Sequence, residues 1–71
     1  MRVKIGDYIT ADTASGVRRQ GKVERIDVSG IQGQIDSVSG VPEAMIDYRL
    51  ADGKLAWCYL SQVVAVGSIG E

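Results

Sequence analysis

Residues 51–63, ADGKLAWCYLSQV, constrain this chain more than any other stretch. The pair Asp52-Gly53 is turn chemistry of the kind that joins antiparallel strands. The residues that follow carry apolar side chains in both parities: Leu55, Trp57 and Tyr59 on one, Ala56, Cys58 and Leu60 on the other. Successive strand residues point to opposite faces, so in a small domain only one parity enters the core. The other parity must be covered by something else, or stand open as an interface.

The rest of the chain reads the same way. Helical periodicity is poor, while β-branched residues and glycine-bearing turns recur at short spacing, which predicts an all-β fold. A first strand is expected over residues 3–11, carrying Val3, Ile5, Tyr8 and Ile9 and broken at Gly6-Asp7. A polar loop, DTASGVRRQ, leads to a second strand over 20–28, with Val23 and Ile26 inward and a bulge between them. Residues 29–43 are rich in Gly and Ser, and Ile31, Ile35 and Val38 suggest an extended hairpin arm there. A third strand over 45–51 puts Ile46, Tyr48 and Leu50 on one face and Asp47 and Arg49 on the other. A fourth covers 54–60, Ser61 is expected to cap a 3₁₀ turn, and a fifth covers 64–66 before a frayed tail, GSIGE. At 71 residues this is one domain, 1–71, with a modest core for which self-association is a common remedy.

Five short strands with one helical turn before the last describe a small SH3-like barrel. The order of IGDYI, GKVERI and YRLADGKLAWCYLSQVVAV resembles the SH3-like group of KOW and Tudor modules. There, a Gly-Asp opens the first strand and an Asp-Gly hairpin precedes a one-turn helix. The placing of GDYI, GKV, VPEAMIDYRL and the last strand pair is also similar to the plasmid-borne type II dihydrofolate reductases. That likeness covers most of the chain except residues 27–41. It implies a homotetramer around a shared pore, and a mobile-element or phage origin. The pore-lining Gln-Ile-Tyr of those reductases falls on Trp57, Cys58 and Tyr59, where only the tyrosine is kept, and their pore lysine falls near Ala11 or Asp12. Even with a shared assembly, the reductase activity is therefore not expected.

Hairpin register decides where Trp57 points. A two-residue Asp52-Gly53 loop sets Tyr48 opposite Trp57 and sends Leu55, Trp57 and Tyr59 into the core. A three-residue loop, 51–53, with Gly53 in the left-handed region sets Tyr48 opposite Ala56 and Ile46 opposite Cys58, and turns the aromatic stripe outward beside Asp47 and Arg49. The second register is favoured, because Leu60 shares parity with Cys58 and leads into the turn whose Val63 should plug the barrel. Leu55, Trp57, Tyr59 and Arg49 are then the expected contact residues.

The remaining candidates carry less. Arg18, Arg19, Lys22 and Arg25 form a basic cluster that could hold phosphates while Trp57 stacks a base. Asp12, Glu24 and Asp27 lie among them and the net charge is −1, so a solvated charged loop is the simpler reading. DTASG nearly matches the Asp-Thr-Gly of aspartic proteases, but Ala14 stands where glycine is needed and the chemistry takes two such carboxylates. The chain has no histidine and one cysteine, so Ser-His-Asp and Cys-His catalysis and zinc ligation have no residues to work with. Cys58 is expected in the core, and Asp36, Glu43 and Asp47 are too scattered for a metal or acid–base pair. No cofactor is expected. Without an apolar leader or a long apolar run, a soluble cytoplasmic protein with no membrane partner is expected. The leading function is a non-enzymatic binding and assembly module, dimeric or tetrameric. The alternatives are a protein, peptide or small-ligand binder or enzyme with a site shared at a symmetry axis, and a KOW-like nucleic-acid module.

Overall fold

The computed structural model of the chain describes residues 2–13, 15–28, 31–32 and 35–68, with 31, 32 and 68 by their backbone alone. The strands are β1 (Arg2–Lys4), β2 (Asp7–Asp12), β3 (Arg18–Val28), β4 (Ile31–Gln32), β5 (Ser37–Ser39), β6 (Met45–Arg49), β7 (Leu55–Tyr59) and β8 (Val63–Ser68). A 3₁₀ turn, Leu60–Gln62, separates the last two. Hydrogen-bonded neighbours run β7-β6-β3-β2-β8, all antiparallel, and β1 pairs with β5 in a second small sheet. This five-strand path, with a 3₁₀ turn before its last strand, is the small all-β fold the sequence predicts.

Alternation explains the core. In β2 the buried residues are Asp7, Ile9 and Ala11, with half-buried ones between them. From the neighbouring strands Val23, Ile26, Ile46, Tyr48 and Cys58 meet them, all under 2% exposed. The expected bulge falls in β3, where the register with β6 shifts between Val23 and Arg25, so that Val23 and Ile26 both face inward. Fully burying a large apolar side chain contributes about 1.5–3 kcal/mol.

Several boundaries differ from the sequence reading. The first expected strand is two, split by a turn at Ile5-Gly6, and Ile5 is exposed. The buried Asp7 carboxylate accepts the Lys4 backbone N–H at 3.0 Å, and Gly6 N–H reaches the Val23 carbonyl at 2.9 Å, which fixes that turn. The second strand starts earlier, at Arg18, because it pairs with β2 out to Asp12. The third and fourth end at Arg49 and start at Leu55, the residues between them being spent on the loop. The fifth runs longer, Val63–Ser68, held along β2, so residues 67 and 68 belong to a strand; residues 69–71 lie outside the described residues. Of the expected hairpin arm, the described residues show β4 paired with Asp27 and Val28, after which β5 pairs with β1 and buries Val38. Ser61 does not cap the 3₁₀ turn. Tyr59 stands at the cap position with its N–H held by Gln62 Oε1 at 2.9 Å, while Ser61 N–H bonds the Pro42 carbonyl at 3.1 Å.

Candidate functional site

The β6–β7 loop decides the site. Gly53 N–H bonds the Leu50 carbonyl at 2.9 Å and Gly53 has φ of +89°, so 51–53 is a three-residue loop closed by a left-handed glycine. Tyr48 consequently faces Ala56, Ile46 faces Cys58 and Asp47 faces Trp57. The favoured register is the one the chain adopts.

Leu55 and Trp57 are each 53% exposed and Tyr59 is 39% exposed. Met45, opposite Tyr59, extends the same outer stripe onto β6. The Trp57 and Tyr59 rings meet edge to face, centroids 5.3 Å apart at 87°, a geometry favoured by the ring quadrupoles. A groove of about 360 Å³ opens beside them, lined by Thr13, Ser15, Trp57, Tyr59 and Gln62. Its far wall is the loop after β2, where Thr13 Oγ1 accepts the Val17 N–H at 3.1 Å and lies 3.0 Å from Ser15 Oγ.

The charged candidates divide. Arg49 is beside the stripe, opposite Leu55, but its guanidinium is already bidentate on Glu24, at 3.0 and 2.9 Å, with a third bond to the Gly53 carbonyl. That hydrogen-bonded pairing raises the Arg49 pKa and lowers that of Glu24. Lys22 and Arg25 pair with Arg49 and Asp47 in β6, which puts them in rows leading to Leu55 and Trp57. Arg18 is not with them: it is bidentate on Asp12 at 2.7 and 3.1 Å, and the same contact holds the Asp12 carboxyl below its ordinary value. Arg19 has the opposite parity, opposite Ala11. The expected four-residue phosphate cluster is therefore not one surface. Two of its members flank the stripe, one is neutralised and one points elsewhere.

Cys58 is 1% exposed and its thiol is pushed up to about 11, by burial first and then by the Asp47 carboxylate. A thiol with that pKa is neutral at pH 7 and a poor nucleophile. Sequence reasoning missed Met45, Thr13, Ser15 and Gln62. Met45 follows from the register by counting, but the loop residues reach Tyr59 only through tertiary folding and leave no local signal.

No protein-family model, no curated protein and no solved structure matches this chain. Among the described residues no helix is long and apolar enough to cross a membrane.

Proposed function

We propose that the protein is a non-enzymatic binding and assembly module that associates with itself through the outer Leu55–Trp57–Tyr59 stripe. The observation that carries this reading is the outward exposure of three large apolar side chains, in consecutive positions of one parity, on a chain whose core is small. Water-exposed apolar surface concentrated on one strand is characteristic of an interface, and aromatic residues dominate the energy of such contacts. The surrounding charge supports a protein partner over nucleic acid. Arg49 and Arg18 are already neutralised by carboxylates, and Asp47 stands between Arg25 and Trp57.

Sedimentation equilibrium over a wide concentration range tests it. The wild-type chain is expected to sediment as a dimer or larger, and Trp57→Ser to shift it towards monomer with the fold intact by circular dichroism. A wild-type chain that stays monomeric at millimolar concentration, or an assembly indifferent to Trp57→Ser, refutes the proposal.

A second reading rests on the groove. Its hydroxyls at Thr13 and Ser15, the Gln62 amide and two aromatic walls suit an extended peptide or a small polar–aromatic ligand. Under that reading Trp57 fluorescence changes on ligand addition while the mass stays that of a monomer.

A further inference from the structure

We propose that two copies of the chain join through the free edge of β7, antiparallel, with Leu55 of each copy opposite Trp57 of the other and the two-fold axis at Ala56. This rests on the reading above, that the stripe is a contact surface, and adds the backbone that makes the contact specific.

The backbone geometry comes from the β6–β7 ladder. Leu50 N–H bonds the Lys54 carbonyl at 2.8 Å and Leu60 N–H bonds the Ala44 carbonyl at 2.8 Å, one at each end of the same register. Hydrogen-bonded and non-hydrogen-bonded pairs alternate along an antiparallel ladder. The bonded pairs between those ends are therefore Tyr48 with Ala56 and Ile46 with Cys58. Leu55, Trp57 and Tyr59 sit at the non-bonded positions, so their N–H and C=O groups point away from β6. The Tyr59 N–H bears this out, because it is donated to Gln62 on that side. Among the described residues β7 pairs with β6 alone. Leu55 and Trp57 thus offer two donors and two acceptors along an open edge, and the same two residues carry the most exposed side chains of the stripe.

Natural sheets protect such an edge with charge, proline, a bulge or a covering segment. Leu55–Tyr59 reads LAWCY, with no charge and no proline, and its register against β6 runs without a shift. An unprotected, uncharged, apolar edge suits another strand of the same kind.

Three observations select a second copy and fix its register. First, the Tyr59 end is occupied, since Gln62 holds its N–H, which leaves Leu55 and Trp57 to pair. Second, pairing Leu55 with Trp57 of the second copy closes a symmetric set of four backbone hydrogen bonds and brings Ala56 against Ala56 of the second copy, where small side chains meet without a clash. Third, this register keeps like charges apart: each row across the joined sheet sets Asp47 of one copy in line with the Arg49–Glu24 pair of the other. The neighbouring register, with Trp57 facing Trp57, would instead end the central row on Asp47 at both sides.

Two variants test the edge, read by sedimentation equilibrium. Leu55→Pro deletes an N–H that faces the open edge, keeps both aromatic residues and leaves every β6 bond in place. It is expected to weaken the dimer about 30-fold with an unchanged circular dichroism spectrum, given two backbone hydrogen bonds of about 1 kcal/mol lost per dimer. Ala56→Cys, oxidised in the otherwise unchanged chain, is expected to give a 56–56 disulfide located by peptide mass, because directly opposed non-bonded strand pairs have the spacing a disulfide needs. The buried Cys58 thiol stays unreacted. A dimer as tight in Leu55→Pro as in wild type overturns the edge, as does the absence of a 56–56 link at concentrations where wild type is dimeric. If the proline variant does not fold, the cross-link decides alone. A dimer abolished by Trp57→Ser but kept by Leu55→Pro overturns the edge and leaves the stripe; a wild-type monomer overturns both.

Discussion

Gly21→Ala is expected to destabilise the barrel by about 2 kcal/mol. Gly21 lies in β3 beside β6, and a Cβ there would overlap the Arg49 carbonyl oxygen. It would also stand 2.9 Å from the Arg49 carbonyl carbon and 2.8 Å from Tyr48 Cδ2. Neither neighbour can yield easily. The carbonyl is backbone, its residue anchored by the Glu24 and Gly53 contacts, and the Tyr48 ring is fully buried. Relief must come from opening the β3–β6 ladder, which puts the cost near the top of the about 1–3 kcal/mol typical of overpacking. The smaller entropy of the unfolded alanine chain returns about 0.5–1 kcal/mol, leaving a net loss near 2. For a domain of this size about 1 kcal/mol moves Tm by about 4–8 °C, so thermal unfolding should fall by about 8–16 °C. Gly67→Ala is the control, because a Cβ there meets nothing within 4 Å. A Gly21→Ala protein that melts within about 3 °C of wild type would show that the close approach of β3 and β6 does not constrain this position.

Two other perturbations probe the core. The folded Cys58 thiol has a pKa of about 11 against an ordinary 9.0, so the folded state keeps its proton longer than the unfolded one. Its contribution is therefore complete below pH 9 and is lost as pH rises towards 11. That loss amounts to about 3 kcal/mol at most, and comparing denaturant midpoints of wild type and Cys58→Ala at pH 8 and pH 10.5 should show a shallower decline in the variant. An equal decline in both would place the alkaline sensitivity elsewhere. The Tyr48 hydroxyl is buried with no hydrogen-bond partner among the described residues, and desolvation foremost raises its pKa. Tyr48→Phe should accordingly leave stability unchanged or raise it by about 1 kcal/mol by urea titration, since only an unpaired polar group is removed. A clear loss of stability would mean the hydroxyl is bonded.

The sequence by itself determined the all-β class, the order of the main strands, the bulge between Val23 and Ile26, and the two possible faces of residues 55–60. These follow from alternation and turn chemistry, which act between near neighbours. It also singled out Leu55, Trp57 and Tyr59, because three large apolar residues in one parity need a partner of some kind. Tertiary structure decided the rest. Asp52-Gly53 is compatible with a two- or a three-residue loop, and local chemistry does not choose. The choice falls to packing across the core: the small Ala56 and Cys58 face inward opposite Tyr48 and Ile46, two fully buried residues, and the large Trp57 faces outward. The fate of the basic residues was equally non-local. Arg18 and Arg49 find Asp12 and Glu24 only once β2, β3 and β6 lie side by side, and Arg19 falls on the opposite parity from Lys22. Nor could spacing place Thr13 and Ser15 against Tyr59, because residues so far apart in the chain meet only when the sheet coils and brings the loop after β2 to the end of β7.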